Sequence, residues 1–336
     1  MPKELTDSLD NCLLETWQRD LPLVARPYRV MAQAGGVKEA DVIDRLKAMQ
    51  ASGVIARVGA VVRPNTIGAS TLAAVSVPDL QVEETAALMA SEAGINHVYL
   101  RENDWNLWFV ATGPNRAAVD AALGRIASQT RRRVLDLRLE RPYHIDLGFK
   151  LFESDTKRHV DPGVPSAFAD FELREDDARL VQQLMNGLAL IPRPFHDLAK
   201  SLGRDAEEVL YRIGDLVAAG ILPRLGLIVR HRALGWRCNA MVVWDVPETE
   251  VDAVGTELAK AAGVNLCYRR RRYDGEWPFN LYCMIHAKSR EAAFDALSRA
   301  SAAAGLDGLP RQILFSLRCF KQTGALVATP YRQEAA

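Results

Sequence analysis

The sequence predicts an α+β fold: a tandem repeat of a winged helix-turn-helix and a ferredoxin-like βαββαβ unit, the two copies forming an internal pseudo-dimer. Three observations predict it. Residues 21–77 and 188–244 share a pattern at a constant offset of 167. Each copy of that pattern opens with helical spacing and ends in a short strand after a glycine. Each is then followed by strand-like and helical segments in the order βαββαβ.

The matched residues have structural jobs. Arg26-Pro27 answers Arg193-Pro194. Gly36, Val42, Arg45, Gly53, Arg57, Gly59, Val62, Arg63 and Gly68 recur as Gly203, Val209, Arg212, Gly220, Arg224, Gly226, Val229, Arg230 and Gly235. Further on, Asn106-Leu107-Trp108 answers Asn280-Leu281-Tyr282. A chain with two copies of one unit carries two non-identical versions of each site, so the positions that differ are the specialists.

The elements follow in order. Apolar residues at helical spacing over 13–20, 25–34 and 39–51 predict three helices. Pro27 suits a first helical turn, and Gly53 and Gly220 suit the left-handed position that ends a helix. Strands at 55–62 and 222–229 complete a two-stranded wing in each copy. Beyond it, copy one reads as strand 71–77, helix 83–92, strands 97–101 and 106–111, helix 116–128 and strand 134–139. Copy two reads as 240–244, 251–262, 266–270, 279–285, 290–303 and 312–318. The predicted domains are 1–63 and 175–231 (winged helices), 64–152 and 232–329 (βαββαβ units), a linker at 153–174 and a tail at 330–336.

Composition narrows the function. The 42 basic and 42 acidic residues cancel, which argues against the basic footprint of a nucleic-acid binder. No apolar run reaches the length of a membrane span and the first residues lack a signal-type apolar stretch, so a cytoplasmic protein away from membranes is expected. Cys12, Cys238, Cys267, Cys283 and Cys319 form no C-x-x-C pair and read as reduced core thiols.

A winged helix followed by βαββαβ resembles the Lrp/AsnC transcription regulators, on the Gly-x-Ile-x-Arg-x-Gly segment at 53–59 and its counterpart at 220–226. The presumed recognition helices depart from a working regulator. Residues 38–53 carry Lys38, Arg45 and Lys47 against Glu39, Asp41 and Asp44. Residues 204–220 carry Arg204 and Arg212 against Asp205, Glu207, Glu208 and Asp215. Phosphate repels such helices, so no functional DNA binding is expected. Longer strings point elsewhere. Arg-His-Arg-Ala-Leu-Gly at 230–235, Cys-Tyr-Arg-Arg at 267–270, Trp-Pro-Phe-Asn-Leu at 277–281, Met-Ile-His at 284–286 and Phe-Lys-Gln at 320–322 resemble the second component of the siroheme decarboxylases. Asn-His-x-Tyr-x-Arg-Glu at 96–102, Trp-Asn-Leu-Trp-Phe at 105–109 and Tyr-His-Ile-Asp-Leu-Gly-Phe at 143–149 resemble the first. One chain holding both resembles the fused form of that family, found on the denitrification route to haem d1. The resemblance implies loss of CO2 from the C12 and C18 acetates of siroheme. The partners it leaves open are a second copy, in a homodimer, and other proteins of haem d1 biosynthesis.

That chemistry has stated needs. The carboxylate must be held, the electrons left behind must enter the conjugated ring, and the carbon must be protonated. No oxidant or added cofactor is required. Arginine suits a carboxylate-rich guest. In the run Arg269 to Arg272, alternate members face opposite sides, and Arg270 answers Arg101. His97, Tyr99 and Arg101 alternate on one strand and share a face; Leu266, Tyr268 and Arg270 occupy that face in copy two. The catalytic candidates are therefore His97, His144, Tyr99 and Tyr268. The substrate-binding candidates are Arg63, Arg101, Trp105, Arg230, His231, Arg270, Arg272, Trp277 and Lys321. His144 or His231 can serve as axial ligand of the substrate's iron. Trp105, Trp108, Trp277 and Tyr282 can stack on a flat macrocycle or fill core. His286, on an apolar strand, reads as a core or edge residue.

Overall fold

A computed structural model describes residues 8–145 and 171–328. The tail at 330–336, most of the linker, and the end of the 143–149 string lie outside them. The chain divides into two compact units, one gathering the helix-turn-helix segments of both copies and the other both βαββαβ segments.

In the first unit, copy one supplies α1 (Ser8–Thr16), α2 (Pro27–Ala34), α3 (Glu39–Ala51) and β1 (Ile55–Val61). Copy two supplies α6 (Asp177–Asn186), α7 (Pro194–Leu202), α8 (Ala206–Ala218) and β7 (Arg224–Val229). Pro27 and Pro194 open their helices, and Gly53 and Gly220 follow theirs at φ 76° and 71°. The wing differs from expectation. Each copy gives one strand, and β1 pairs antiparallel with β7 across the pseudo-dyad. The first helix also stops early. The carbonyl of Trp17 accepts from the Leu227 amide at 2.7 Å and that of Gln18 from Arg224 Nε at 2.8 Å, so copy two takes the groups that a longer helix would use. Gly59 and Gly226 permit this approach. A Cβ there would stand 2.3 Å from the Leu184 carbonyl oxygen and 2.5 Å from that of Gln18.

The repeated arginines of the recognition helices are engaged inward. Arg45 binds Asp10 of α1 through Nε at 2.8 Å and Nη2 at 2.5 Å. Arg212 binds Asp177 of α6 at 2.9 and 2.6 Å, with side chains 5% and 1% exposed. Removing one partner of a buried pair strands the other charge, at a cost of about 3–5 kcal/mol. Arg212→Met is therefore expected to lower the urea midpoint more than Arg45→Met, because the Arg45 side chain is 37% exposed against 5% for Arg212, so the first pair is the less desolvated. Equal midpoints in the two variants would refute this ordering.

The second unit holds β2 (Ala69–Val75), α4 (Val82–Ser91), β3 (Ile95–Arg101), β4 (Leu107–Gly113), α5 (Arg116–Thr130), β5 (Val134–Leu137) and β6 (Leu139–Ile145) from copy one. Copy two gives β8 (Cys238–Trp244), α9 (Val251–Lys260), β9 (Val264–Arg270), β10 (Leu281–Ala287), α10 (Arg290–Ala303) and β11 (Arg311–Gln322). The strand order is β5-β2-β4-β3-β11-β8-β10-β9-β6. Two ferredoxin-like sheets are thus joined by exchanged arms. The first half of β11 pairs with β8 of its own copy and the second half with β3 of the other. Symmetrically, β5 pairs with β2, while β6 crosses to β9. Because β5 and β6 are one stretch of chain at opposite ends of the order, the sheet curls back on itself.

Each sheet packs helices on one face: Val75, Phe109 and Ile126 in copy one; Val242, Cys283 and Leu297 in copy two. The helix-free faces meet each other through Ala74, Trp108, Leu135, Met241, Val243, Trp277, Tyr282 and Leu314. The repeated asparagines brace the turns alike. Asn106 accepts from the Val77 amide and donates to its carbonyl (3.0 and 2.7 Å); Asn280 does the same to Val246 (3.0 and 3.0 Å).

Candidate functional site

The helix-free faces change character along their length. Where Trp108, Trp277 and Tyr282 meet, they are packed shut: these side chains are at most 2% exposed. Farther along the strands, Leu72, Val110, His97 and Tyr99 of copy one, and Leu266, Tyr268, Met284 and His286 of copy two, are only half-buried. The interior is therefore apolar and filled at one end, polar and partly open at the other.

The pseudo-dyad relates two arginine–tyrosine pairs on this face. Arg101 lies over the Tyr99 ring at 5.5 Å and Arg270 over that of Tyr268 at 5.0 Å. Each reaches into the other copy. Arg101 Nη1 donates to the Leu314 carbonyl and Arg270 Nη1 to the Leu137 carbonyl, both at 3.0 Å. Burial lowers the pKa of Arg270, so its charge is held at a cost. Its Nε is buried and finds no hydrogen-bond partner among the described residues. Donor capacity on a desolvated cation suits a carboxylate.

The copies then diverge. His97 Nδ1 lies 3.2 Å from Tyr99 Oη, with the rings stacked at 5.9 Å. At the matching position, copy two has Leu266. His97 and Tyr99 form a hydrogen-bonded pair with Arg101 beside it, whereas Tyr268 and Arg270 stand together without a histidine.

Several of the candidates already have partners within the protein. Arg272 hydrogen-bonds Asp245, Glu248 and the carbonyls of Val246 and Pro278, so a loop clamp already uses its guanidinium. Trp277 is core: its ring packs on Trp108 at 5.2 Å and its Nε1 donates to Tyr282 Oη at 2.7 Å. Burial drives the Tyr282 phenol well above its usual pKa, which keeps it neutral. Lys321 Nζ donates to the Ala90 and Glu92 carbonyls at 2.8 and 3.1 Å, closing the end of α4 on the helix side of the sheet. His144 does not follow the last strand but lies within β6, opposite Cys267, whose thiol donates to the Gly255 carbonyl of α9. His144 is buried there, beside a break in register between Pro142 and His144. Trp105 is half-buried against the apolar end, and its carbonyl accepts from Trp108 Nε1.

The remaining candidates belong to the helix-turn-helix unit. Arg63 is buried and donates through Nε to the Gly220 carbonyl at 3.0 Å, a tie between copies rather than a free cation. Arg230 takes the symmetric place beside Gly53, and its amide donates to the Val54 carbonyl at 2.8 Å. His231 is held neutral, with its pKa lowered to about 4 by burial and by Arg232 and Arg224. Neutral imidazole is the form that binds iron.

Sequence reasoning missed a polar chain on the sheet face. Arg101 Nη1 donates to Asn239 Oδ1 at 3.3 Å, and Asn239 Nδ2 lies 2.6 Å from His286 Nε2. His286 Nδ1 lies 3.2 Å from Asn265 Oδ1. The available signal was strand alternation, which sets His286 on the same face as Met284 and Tyr282.

Paired sheets with helices outside and a charged, half-open inner face define a ligand-binding protein of AsnC-like type. Family profiles agree: the AsnC-like ligand binding domain matches 67–144 and 233–321, and the siroheme decarboxylase NirDL-like HTH domain matches 10–55 and 177–222. The siroheme decarboxylase NirDL subunit of Paracoccus denitrificans is 51% identical over 96% of this chain and 98% of its own length. The NirL subunit of Stutzerimonas stutzeri is 44% identical over 48% of this chain and 95% of its own. A crystal structure of the siroheme decarboxylase NirDL in complex with an iron-uroporphyrin III analogue superposes with a TM-score of 0.67 at 26% identity, covering 95% of this chain and 94% of that one. The chain belongs to the siroheme decarboxylase family, in its fused NirDL form. No helix among the described residues is long and apolar enough to cross a membrane.

Proposed function

We propose that this siroheme decarboxylase, a carboxy-lyase, removes CO2 without oxidation from the C12 and C18 acetates of siroheme, giving 12,18-didecarboxysiroheme for haem d1 synthesis in the cytoplasm. The observation that carries the reading is the pair of arginine–tyrosine sites related by the pseudo-dyad, only one of which adds a histidine. Arg270 and Arg101 hold peripheral carboxylates. The bond between the acetate methylene and its carboxyl carbon breaks, and its electron pair passes into the conjugated ring. His97, sharing a proton with Tyr99, supplies the proton that makes the methyl group. The proton replaces the departing CO2, so electrons balance without an acceptor or a protein cofactor. Water reaches the half-buried pair and restores the proton.

A DNA-reading role has less support, because Arg45 and Arg212 are engaged with Asp10 and Asp177 instead of facing outward. The test is anaerobic incubation of siroheme with the purified chain alone, followed by mass measurement of the tetrapyrrole. Loss of two CO2 units with no acceptor present is expected. Tight binding at unchanged mass would leave a haem-binding sensor in place of an enzyme.

A further inference from the structure

The polar chain of Arg101, Asn239, His286 and Asn265 has only one self-consistent pattern of protons. Arginine carries donors and no acceptor, so the Asn239 oxygen must face Arg101. The Asn239 amide nitrogen, a donor, then faces His286, and Nε2 must accept. The ring proton is therefore on Nδ1, where it meets an acceptor, Asn265 Oδ1. Both ring nitrogens of His286 are engaged, and the ring is a neutral link rather than a proton donor.

The pseudo-dyad supplies an internal control. Serine and threonine, Ser70 and Thr112, stand where Asn239 and His286 stand, and Asn96 stands for Asn265. Thr112 Oγ1 accepts instead from the Leu326 amide at 2.9 Å. Among the described residues Arg270 has no amide brace of this kind: it rests on the Leu137 carbonyl and the Tyr268 and Tyr282 rings. Two arginines in equivalent places are thus held differently: each rests on a carbonyl and a tyrosine ring, and Arg101 is also tied to the side-chain chain of Asn239, His286 and Asn265.

We infer that His286 is a positioning residue: acting through Asn239, it holds Arg101 in one pose, so that copy one presents a rigid carboxylate holder and copy two an adaptable one. This rests on the proposed reading that the face holds the substrate's carboxylates. A fixed cation loses less freedom when an anion arrives, so the effect falls on binding, not on the chemical step.

The experiment compares His286→Leu, His286→Gln, Asn239→Leu and the double variant His286→Leu/Asn239→Leu in the full chain. KM and kcat are measured with siroheme, and Kd with iron-uroporphyrin III by absorbance titration. His286→Leu is expected to raise KM and Kd about 5-fold, the value of one hydrogen bond, with kcat within about 2-fold. His286→Gln should recover most of the affinity, since its amide both accepts from Asn239 and donates to Asn265. The double variant should be no weaker than Asn239→Leu alone. A large fall in kcat at unchanged KM, failure of glutamine to rescue, or additive losses would overturn the assignment. If the unaltered chain fails to convert siroheme, the proposed reaction falls, while the Kd series still judges the positioning role.

Discussion

His97→Ala should lower kcat by about two to four orders of magnitude, the usual contribution of a positioned general acid, while siroheme still binds. The argument is one of difference between copies. Tyr99 and Tyr268, and Arg101 and Arg270, repeat; His97 does not, because its counterpart is Leu266. Groups that hold carboxylates are needed wherever the guest has acetates or propionates. A proton source is needed where a carbon–carbon bond breaks. Tyr99→Phe should cost less than His97→Ala, since it removes the 3.2 Å partner of Nδ1 but leaves the imidazole. Single-turnover rates at saturating siroheme, with Kd from absorbance, separate the two effects. If His97→Ala turns over normally, the proton comes from elsewhere, and the copies share the reaction more equally than proposed.

Much of this architecture was legible because the repeat compares the chain with itself. The offset exposed Gly53 and Gly220 as helix stops, and helix 290–303 is as expected. Alternation on β3 put His97, Tyr99 and Arg101 on one face. What stayed hidden was set by long-range partners. The arm β6 contains Pro142, Glu140 and Arg141, and no local pattern marks it as a strand; pairing with β9 makes it one. The second half of β11, with exposed Leu317 and Arg318, is a strand because β3 lies beside it. The wing's partner, in the other copy, was invisible for the same reason. Residue type also left existing partners unseen. Arg272, Trp277, Lys321 and Arg63 have the chemistry of ligand contacts, yet a carboxylate, a neighbouring ring or a backbone carbonyl already occupies each.

Two arginines of copy two, Arg270 and Arg272, give the sharpest separation of binding from stability. Arg270→Met should weaken binding of siroheme by about 10- to 150-fold, the 1.5–3 kcal/mol of a charge-assisted hydrogen bond. Its unfolding midpoint should change little. The lost bond to the Leu137 carbonyl is offset by relief of a desolvated cation that lacks a partner for Nε. Arg272→Met should do the reverse. That guanidinium joins Asp245 and Glu248 to the Val246 and Pro278 carbonyls, so removing it leaves acceptors unpaired around a loop. A loss of roughly 1–3 kcal/mol in unfolding free energy is expected, with Kd for siroheme within a few-fold of the unaltered chain. Absorbance titration and urea denaturation on the same two proteins decide it. Should Arg272→Met be the variant that loses siroheme, the clamp opens to take the ligand, and the anion site is at the turn instead of on the inner sheet face.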